Sequence, residues 1–505
     1  MQSLQFLWEG FLVATQPVNL LYCFIGVLWG TVVGILPGLG PMAGMTLLLP
    51  LTFKLAPATA IIMLAGIFYG AMYGGSLTSI LVRIPGEAAS VITCLDGYEM
   101  ARRGRAGPAL AIAAIGSWIG GVASVIGLML FAPPLAEAML KVGPPAEFVL
   151  MLLALVVMSF VSSTPPLKTL AMILSGLAVA TVGMDPITGF GRFTYGNLGL
   201  AEGLSFVAIA LGLFGVSEIL LNLEDVAEMK PIKPSFRSLF PSWADCKASA
   251  PAIGRGTIIG FIFGLVPGVS HIISTFVSYV VERRVSKHPE QFGQGAIAGV
   301  AGPETANNAT TGSAMIPLLV LGIPAIPATA VLLSALLIHG VQPGPQLLLD
   351  HPAVFWGLIA SMVIGNVILV ILNLPLVSVF VNILRVPYPY LAPSILLVSI
   401  VGVYSVNASP LDLWLLTISG LAGYLLRKFD FDVAPLLLAI VLGDRIEMAF
   451  RRSLTISDGR YGIFLEGPAV KILLGGAVFF GLLLGVARLL GYRRHADQPE
   501  DMVKT

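Results

Sequence analysis

Apolar residues run along this chain in stretches close to 20 residues, and polar residues fall in short clusters between or inside them. Runs of that length match the helix needed to cross a hydrocarbon core, so the pattern predicts an all-α polytopic membrane protein. One stretch departs from it. Gly299 to Ala330 (GVAGPETANNATTGSAMIPLLVLGIPAIPATA) sets Glu304, Thr305, Asn307, Asn308, Thr310, Thr311 and Ser313 inside apolar sequence, among Pro303, Pro317, Pro324 and Pro327. Each proline removes a backbone donor and crowds the preceding turn, which predicts broken helix here. An unpaired amide or hydroxyl in hydrocarbon costs roughly 2–7 kcal/mol. Broken polar backbone at membrane depth is therefore expected only where it lines a cavity or is buried in protein. This stretch is the expected floor of a solute and ion site.

The pattern also repeats. The run from Pro17 to Leu36 carries Gly26, Gly30 and Gly34 and ends in GILPGLGP; Gly256, Gly260 and Gly264 recur at a constant offset and end in GLVPGVSH. Pro37-Gly38 thus matches Pro267-Gly268. Glycine at every fourth position opens a groove for another backbone. YGGSLTSILVRIPGEA (Tyr73 to Ala88) matches NATTGSAMIPLLVLGIPA (Asn308 to Ala325). Gly75-Ser76 leads to Ile84-Pro85 and Gly312-Ser313 to Ile323-Pro324, the second copy being two residues longer. SSTPPLKTLAMILSGLA (Ser162 to Ala178) matches VNASPLDLWLLTISGLA (Val406 to Ala422), and LKVGPP (Leu140 to Pro145) matches LRVPYP (Leu384 to Pro389). The expected organisation is a first membrane repeat over 1–223, a hydrophilic cytoplasmic linker over 224–250, a second repeat over 251–455, and a C-terminal span and tail over 456–505.

Basic residues orient the copies, because lysine and arginine favour the cytoplasmic side. Arg102, Arg103 and Arg105 form a dense basic loop, whereas the matching His339 to His351 holds no lysine or arginine. Arg283, Arg284 and Lys287 match the lone Lys54. Opposite basic signatures predict inverted repeats with broken helices and re-entrant hairpins. The 102–105 loop, the linker, 283–287, Arg427-Lys428 and Arg493-Arg494 are expected in the cytoplasm. Arg451-Arg452 then falls outside, against the rule. Met42–Phe53, Ala88–Ala101 and Ile272–Val281 are either full spans or re-entrant hairpins. Met1 to Thr15 reads as a short amphipathic helix at the interface.

Composition agrees: 56% of the 505 residues are hydrophobic and 11% charged, with a mean hydropathy of +0.92, where soluble proteins carry about 25% charged residues. The net charge of +1 argues against nucleic acid as a partner. Cys23, Cys94 and Cys246 lack metal or disulfide spacing, and the N-terminus lacks the features of a cleavable signal peptide. No phosphate-binding loop, zinc motif or catalytic triad spacing occurs. The chain therefore reads as a non-enzyme without a cofactor, driven by an ion gradient.

Half-helix N-termini suit carboxylates, and hydroxyl, amide and carbonyl oxygens suit sodium. The expected substrate-binding residues are Gly38, Gly75, Ser76, Pro85, Asn308, Thr311, Gly312 and Pro324. The expected cation-binding residues are Ser76, Thr78, Asn307, Thr310 and Ser313, for Na+ (or H+). The plain alternative is that these hydroxyls satisfy backbone in kinked helices. Glu304 is a cation ligand, a proton site, or a helix N-terminal carboxylate at the interface. Arg83 pairs with a substrate carboxylate or snorkels. His271 has no second metal ligand in view.

GILPGLGP (Gly34 to Pro41), the Tyr73 to Leu110 stretch and GVAGPETANNATTGSAMIPLLVLGIPAIPATAVLLSALLIHGVQPGP (Gly299 to Pro345) resemble the large membrane subunit of the tripartite tricarboxylate transporters, the TctA family. The resemblance covers nearly the whole chain. It implies a multi-pass permease of the bacterial inner membrane, a small membrane partner subunit, and a periplasmic solute-binding protein. It also implies import of organic acids such as citrate on a sodium or proton gradient, with an elevator-like movement of a transport domain. Thr305 and Thr310-Thr311 stand where the family commonly has alanine and glycine, which leaves tricarboxylate, dicarboxylate and aromatic acids open. A self-sufficient permease, a passive channel and an intramembrane enzyme are the alternatives.

Overall fold

The computed structural model describes residues 2–36, 40–161, 164–185, 187–224, 232, 239–266, 271–377, 379–380 and 388–478. The described residues are overwhelmingly helical. They contain one antiparallel ribbon of two-residue strands, β1 (Gly183–Met184) and β2 (Gly191–Arg192), with Gly183 opposite Arg192.

The first half holds α1 (Gln2–Ala14), α2 (Pro17–Ile35), α3 (Gly40–Leu48), α4 (Pro57–Val82), α5 (Thr93–Met100), α6 (Ala106–Met139), α7 (Pro144–Val161), α8 (Pro166–Ala180) and α9 (Ser217–Glu224), the last entered through a π turn over Leu211–Val216. The second holds α10 (Trp243–Gly264), α11 (His271–Val285), α12 (Ala298–Ser313), α13 (Pro327–Ile338), α14 (Pro352–Asn373), α15 (Tyr388–Asn407), α16 (Pro410–Lys428) and α17 (Ala434–Ile456). Four described stretches are long and apolar enough to cross a membrane: Pro17–Ile35, Pro57–Val82, Thr93–Met139 and Pro352–Asn373. The protein is a helical, multi-pass membrane protein. Outward-facing apolar stripes at helical spacing, such as Trp414, Ile418, Leu421 and Leu425 on α16, suit contact with lipid.

Both glycine ladders do what their spacing predicts. Gly26, Gly30 and Gly34 of α2 lie against the backbone of Met63, Ile67 and Ala71 in α4. Gly256, Gly260 and Gly264 of α10 lie against Gly302, Ala306 and Thr310 in α12. A Cβ at Gly30 would stand 2.8 Å from the Ile67 Cα, and one at Gly260 would stand 2.8 Å from the Ala306 Cα. These approaches bury α4 from Thr59 to Leu81 and α12 from Gly299 to Ser313. The main core gathers Phe68, Tyr69 and Phe355 with residues of α13. A second apolar cluster joins α7, α8 and α17 through Met151, Leu155, Ile173 and Leu442.

Three expectations need correction. The polar stretch was expected to be broken, but α12 is regular through Pro303. The helix accommodates Pro303, and its hydroxyl residues bond back to their own turn, as Thr305 does to the Ala301 carbonyl (2.7 Å). The break comes later, at Gly322 to Ile326. Glu304 is accordingly not an interfacial helix end: it lies in mid-helix and is 1% exposed. The hydrophilic 224–250 stretch is not all connector either. Ser242 and Asp245 form a reciprocal capping box, so α10 begins at Trp243. Of the expected C-terminal span, residues beyond 478 lie outside the described residues.

Charge pairs sort the two ends. Arg105 pairs with Asp245, joining the basic 102–105 turn to the start of α10. Lys168 at the start of α8 donates to the Phe429 carbonyl (2.6 Å). At the far end of α8 and α17, Arg451 meets Asp185 (2.9 Å) and Glu447 (2.6 Å), and Arg192 meets Glu447 (2.8 Å). Arg451, the exception to the charge rule, is thus matched by carboxylates. The Thr188 and Ile187 amides, with Arg451 behind them, hold the Asp185 carboxyl below the usual carboxylate range. The expected interfacial helix is α1, which stacks Phe6 on Trp356 of α14 (ring centroids 6.1 Å apart) while Trp8 and Leu12 face outward.

Candidate functional site

The site is built from one backbone turn used twice. α4 ends at Arg83 in the left-handed region (φ 61°, ψ 22°), and the π turn Pro317–Leu321 ends at Gly322 in the same region (φ 66°, ψ 24°). Ile84-Pro85 and Ile323-Pro324 follow. Four residues past each left-handed position comes an extended residue, Glu87 (φ −143°, ψ 161°) or Ile326 (φ −144°, ψ 162°), and a new helical segment. A left-handed conformation costs an L-residue about 1–2 kcal/mol, so Arg83 is held there by its surroundings. The longer second copy carries its π turn, which is wider than an α turn, within the inserted stretch.

Both turns border one cavity of about 520 Å³. Its walls include Pro85 and Glu87 from the first turn, Ile326 and Ala328 from the second, and Phe214, Glu218, His271 and Arg427. The first-turn amides of α13 have no preceding helical carbonyl to bond, and they begin at this wall.

At and beside the cavity wall lies a carboxylate pair, Glu87 half-buried and Glu304 buried. Glu87 Oε2 accepts from the Ala89 amide (2.8 Å), and its Oε1 accepts from Asn307 Nδ2 (3.1 Å). The Glu304 carboxylate accepts from the Ser76 and Thr93 hydroxyls. Ser117 donates to the Glu304 carbonyl (3.3 Å). Gly75 leaves room for this packing: a Cβ there would come within 2.7 Å of the Glu87 Cγ. Among the described residues neither glutamate forms an ion pair, and the buried Asn307 Oδ1 has no hydrogen-bond partner. Such a set of hydroxyl, amide and carboxylate oxygens has the chemistry of a hard-cation site. Among the described residues no three His, Cys, Asp or Glu converge as for a transition metal.

The expected site residues therefore separate. Gly75, Ser76, Pro85 and Asn307 come together here, and the Thr78 hydroxyl, which donates to the Gly75 carbonyl (3.0 Å), lies beside Gly86. Thr311 pairs with His271 Nε2 (3.1 Å) on the cavity wall. Thr310 bonds to Ser274 (2.9 Å) and to the Ala306 carbonyl (2.8 Å), and Ser313 to the Ala309 carbonyl (2.9 Å), so both are occupied at the α10–α12 seam. Asn308 and Gly312 pack near Gly121 and Asn366. Pro324 lies against Met158 and Leu438 and does not line the main cavity, though Ile326 and Pro327 border both. Gly38 lies outside the described residues. Arg83 is exposed, with its guanidinium 5.8 Å from the Tyr98 ring centre.

Thr93, Glu87, Glu218 and Arg427 were not among the expected residues. Glu87 was within reach, since aligning the two Ile-Pro pairs places it opposite Ile326. Thr93 was not, because its partner lies 211 positions away.

The family model described as "Tripartite tricarboxylate transporter TctA family" matches residues 20–438. An Agrobacterium vitis protein described as an uncharacterized 52.8 kDa protein in the TAR-I ttuC' 3' region is 48% identical over 465 residues, covering 92% of this chain and 93% of that protein. A second protein of that organism, from the TAR-II ttuC' 3' region and also described as uncharacterized, is 46% identical over 240 residues, covering 47% of this chain and 98% of its own length. No solved structure matches.

Proposed function

The chain belongs to the tripartite tricarboxylate transporter TctA family, and from that premise we propose that it is the large permease subunit of a three-component importer of organic carboxylates, driven by a cation gradient. The observation that carries the reading is the repeated turn. Two segments with one backbone conformation, one from each half, meet over a single cavity beside a buried oxygen cluster. In this reading 1–223 and 251–455 are inverted repeats, and the solute sits at their interface, as in other transporters built this way. The hairpin elements at the two turns are re-entrant. Substrate carboxylates rest on the free amides that follow Pro85 and Pro327.

Sodium is the proposed coupling ion. Ser76, Thr78 and Asn307 supply neutral oxygens, and Glu87 and Glu304 supply the charge. Thr310 and Ser313 join only after exchanging their present bonds. Glu304, buried without a basic partner, carries a desolvation cost of several kcal/mol, which a bound cation offsets, and half-buried Glu87 adds a second charge beside it. The complex lies in a bacterial inner membrane, with a small membrane subunit beside this chain and a periplasmic solute-binding protein delivering citrate or a related acid.

The test is citrate uptake by membrane vesicles carrying this chain with or without the small subunit, with citrate-loaded binding protein outside. Uptake is expected only when all three are present. Uptake by the chain alone would identify a self-sufficient permease, and equilibration without accumulation would identify a channel.

A further inference from the structure

We propose that Glu218 occupies the substrate-carboxylate position on Arg427, and that solutes with two or more carboxylates bind by displacing it. The inference rests on the importer reading above and names its substrate class. Arg427 and Glu218 pair with each other on the wall of the cavity between the two turns. Each side chain is 22% exposed, so the pair is reachable from the cavity.

The guanidinium is also held independently of Glu218. It lies 5.2 Å from the centre of the Phe214 ring, and Nη2 donates to the Leu213 carbonyl (3.5 Å). The end of α16 has a second anchor on α9, because Lys428 pairs with Glu224 at 2.8 Å. Releasing Glu218 therefore neither frees α16 nor leaves Arg427 loose. A substrate carboxylate replaces a protein carboxylate, so the guanidinium fork keeps an anion throughout and no unpaired cation is left on the cavity wall. The same cavity is bordered by the start of α13 at Pro327 and Ala328, where free amides form a second anion-binding pole. A monocarboxylate satisfies one pole. A dicarboxylate or tricarboxylate satisfies both, and only the second contact offsets the loss of Glu218.

The experiment measures uptake by the full chain with its partner subunits in proteoliposomes. Citrate is the substrate, and succinate and acetate are competitors. Glu218→Gln removes the internal competitor, and the citrate KM falls by about fivefold, the factor set by a partly exposed ion pair worth about 1 kcal/mol. Glu218→Asp, which withdraws the carboxylate but keeps its charge, lowers KM less. Arg427→Lys loses the fork, raises the citrate KM, and reduces the advantage of succinate over acetate as a competitor. A purely structural pair predicts lower melting temperatures and reduced Vmax for all three variants, with no fall in KM. An unchanged or raised KM in Glu218→Gln and Glu218→Asp overturns the exchange while leaving the importer reading intact. Wild-type protein that accumulates none of the three acids overturns the exchange, and one that accumulates no carboxylate its binding protein delivers, aromatic acids included, overturns the importer reading with it.

Discussion

Gly260→Ala tests the close packing of α10 on α12 within the second half. A Cβ at Gly260 would stand 2.8 Å from the Ala306 Cα and 2.8 Å from the Ala309 Cβ. Carbon atoms rest at about 3.5 Å or more, and the Ala306 carbonyl oxygen lies nearer still, so α10 and α12 must part by at least about 0.7 Å. Overpacking of this kind costs about 1–3 kcal/mol, while alanine in place of helical glycine gains about 1 kcal/mol. Gly254, on the same helix, isolates the second effect, because a Cβ there meets nothing within 4 Å. Gly254→Ala is therefore expected to melt at or above the wild-type temperature, and Gly260→Ala below Gly254→Ala by the overpacking term alone. Gly30→Ala, with its Cβ 2.8 Å from the Ile67 Cα, should follow Gly260→Ala. Thermal unfolding of the purified chain in detergent reads all three. Equal melting temperatures for Gly260→Ala and Gly254→Ala would refute the close-approach argument.

Thr93→Val removes one hydroxyl from Glu304. A hydrogen bond to a charged group is worth about 1.5–3 kcal/mol, so the sodium concentration for half-maximal uptake should rise at least tenfold; an unchanged value would detach Glu304 from the ion site. Single cysteines at Arg103 and Gln346, in a chain carrying Cys246→Ser, should react with an impermeant thiol reagent from opposite faces of the membrane, and labelling from one face removes the inverted repeat. Asp185→Asn should loosen the 183–192 ribbon at neutral pH, read as faster proteolysis there. The folded carboxyl of Asp185 lies below its ordinary value, so its stabilisation is present above the unfolded pKa of about 3.9 and is lost as pH falls towards the folded one. The difference from wild type should therefore shrink below pH 4, and a constant difference would assign the effect to shape rather than charge.

Local signals in the chain carried much of this architecture. The glycine ladders named the helix faces that meet, because only glycine permits backbone contact at that spacing. The Ile-Pro pairs named the two turns, and the left-handed residue before each pair accounts for why they match. The polar residues of α12 misled in one respect. Proline and hydroxyl residues suggested unwound backbone, yet the hydroxyls of Thr305, Thr310, Thr311 and Ser313 bond back to carbonyls of their own helix, a local solution compatible with regular helix. Contacts between distant segments left no trace in sequence. Ser76 and Thr93 meet Glu304, and Asp96 accepts from the amides of Gly293, Gly295 and Ala296 (2.9, 2.7 and 2.8 Å), because the fold crosses its two halves there. Arg427 reads in sequence as one of two basic residues ending a helix; only the tertiary structure turns it to the cavity wall while Lys428 takes the outer pair.

The central claim is that the cavity between the two turns belongs to a gradient-driven carboxylate importer. Uptake of radiolabelled citrate into proteoliposomes holding this chain and its small partner, with the cognate binding protein outside, tests it most directly when the sodium gradient is imposed, collapsed or reversed. The account predicts accumulation above the external concentration with an inward gradient and none when it is collapsed. Accumulation of citrate that ignores the sodium gradient, or equilibration to the external level under every gradient, would contradict it.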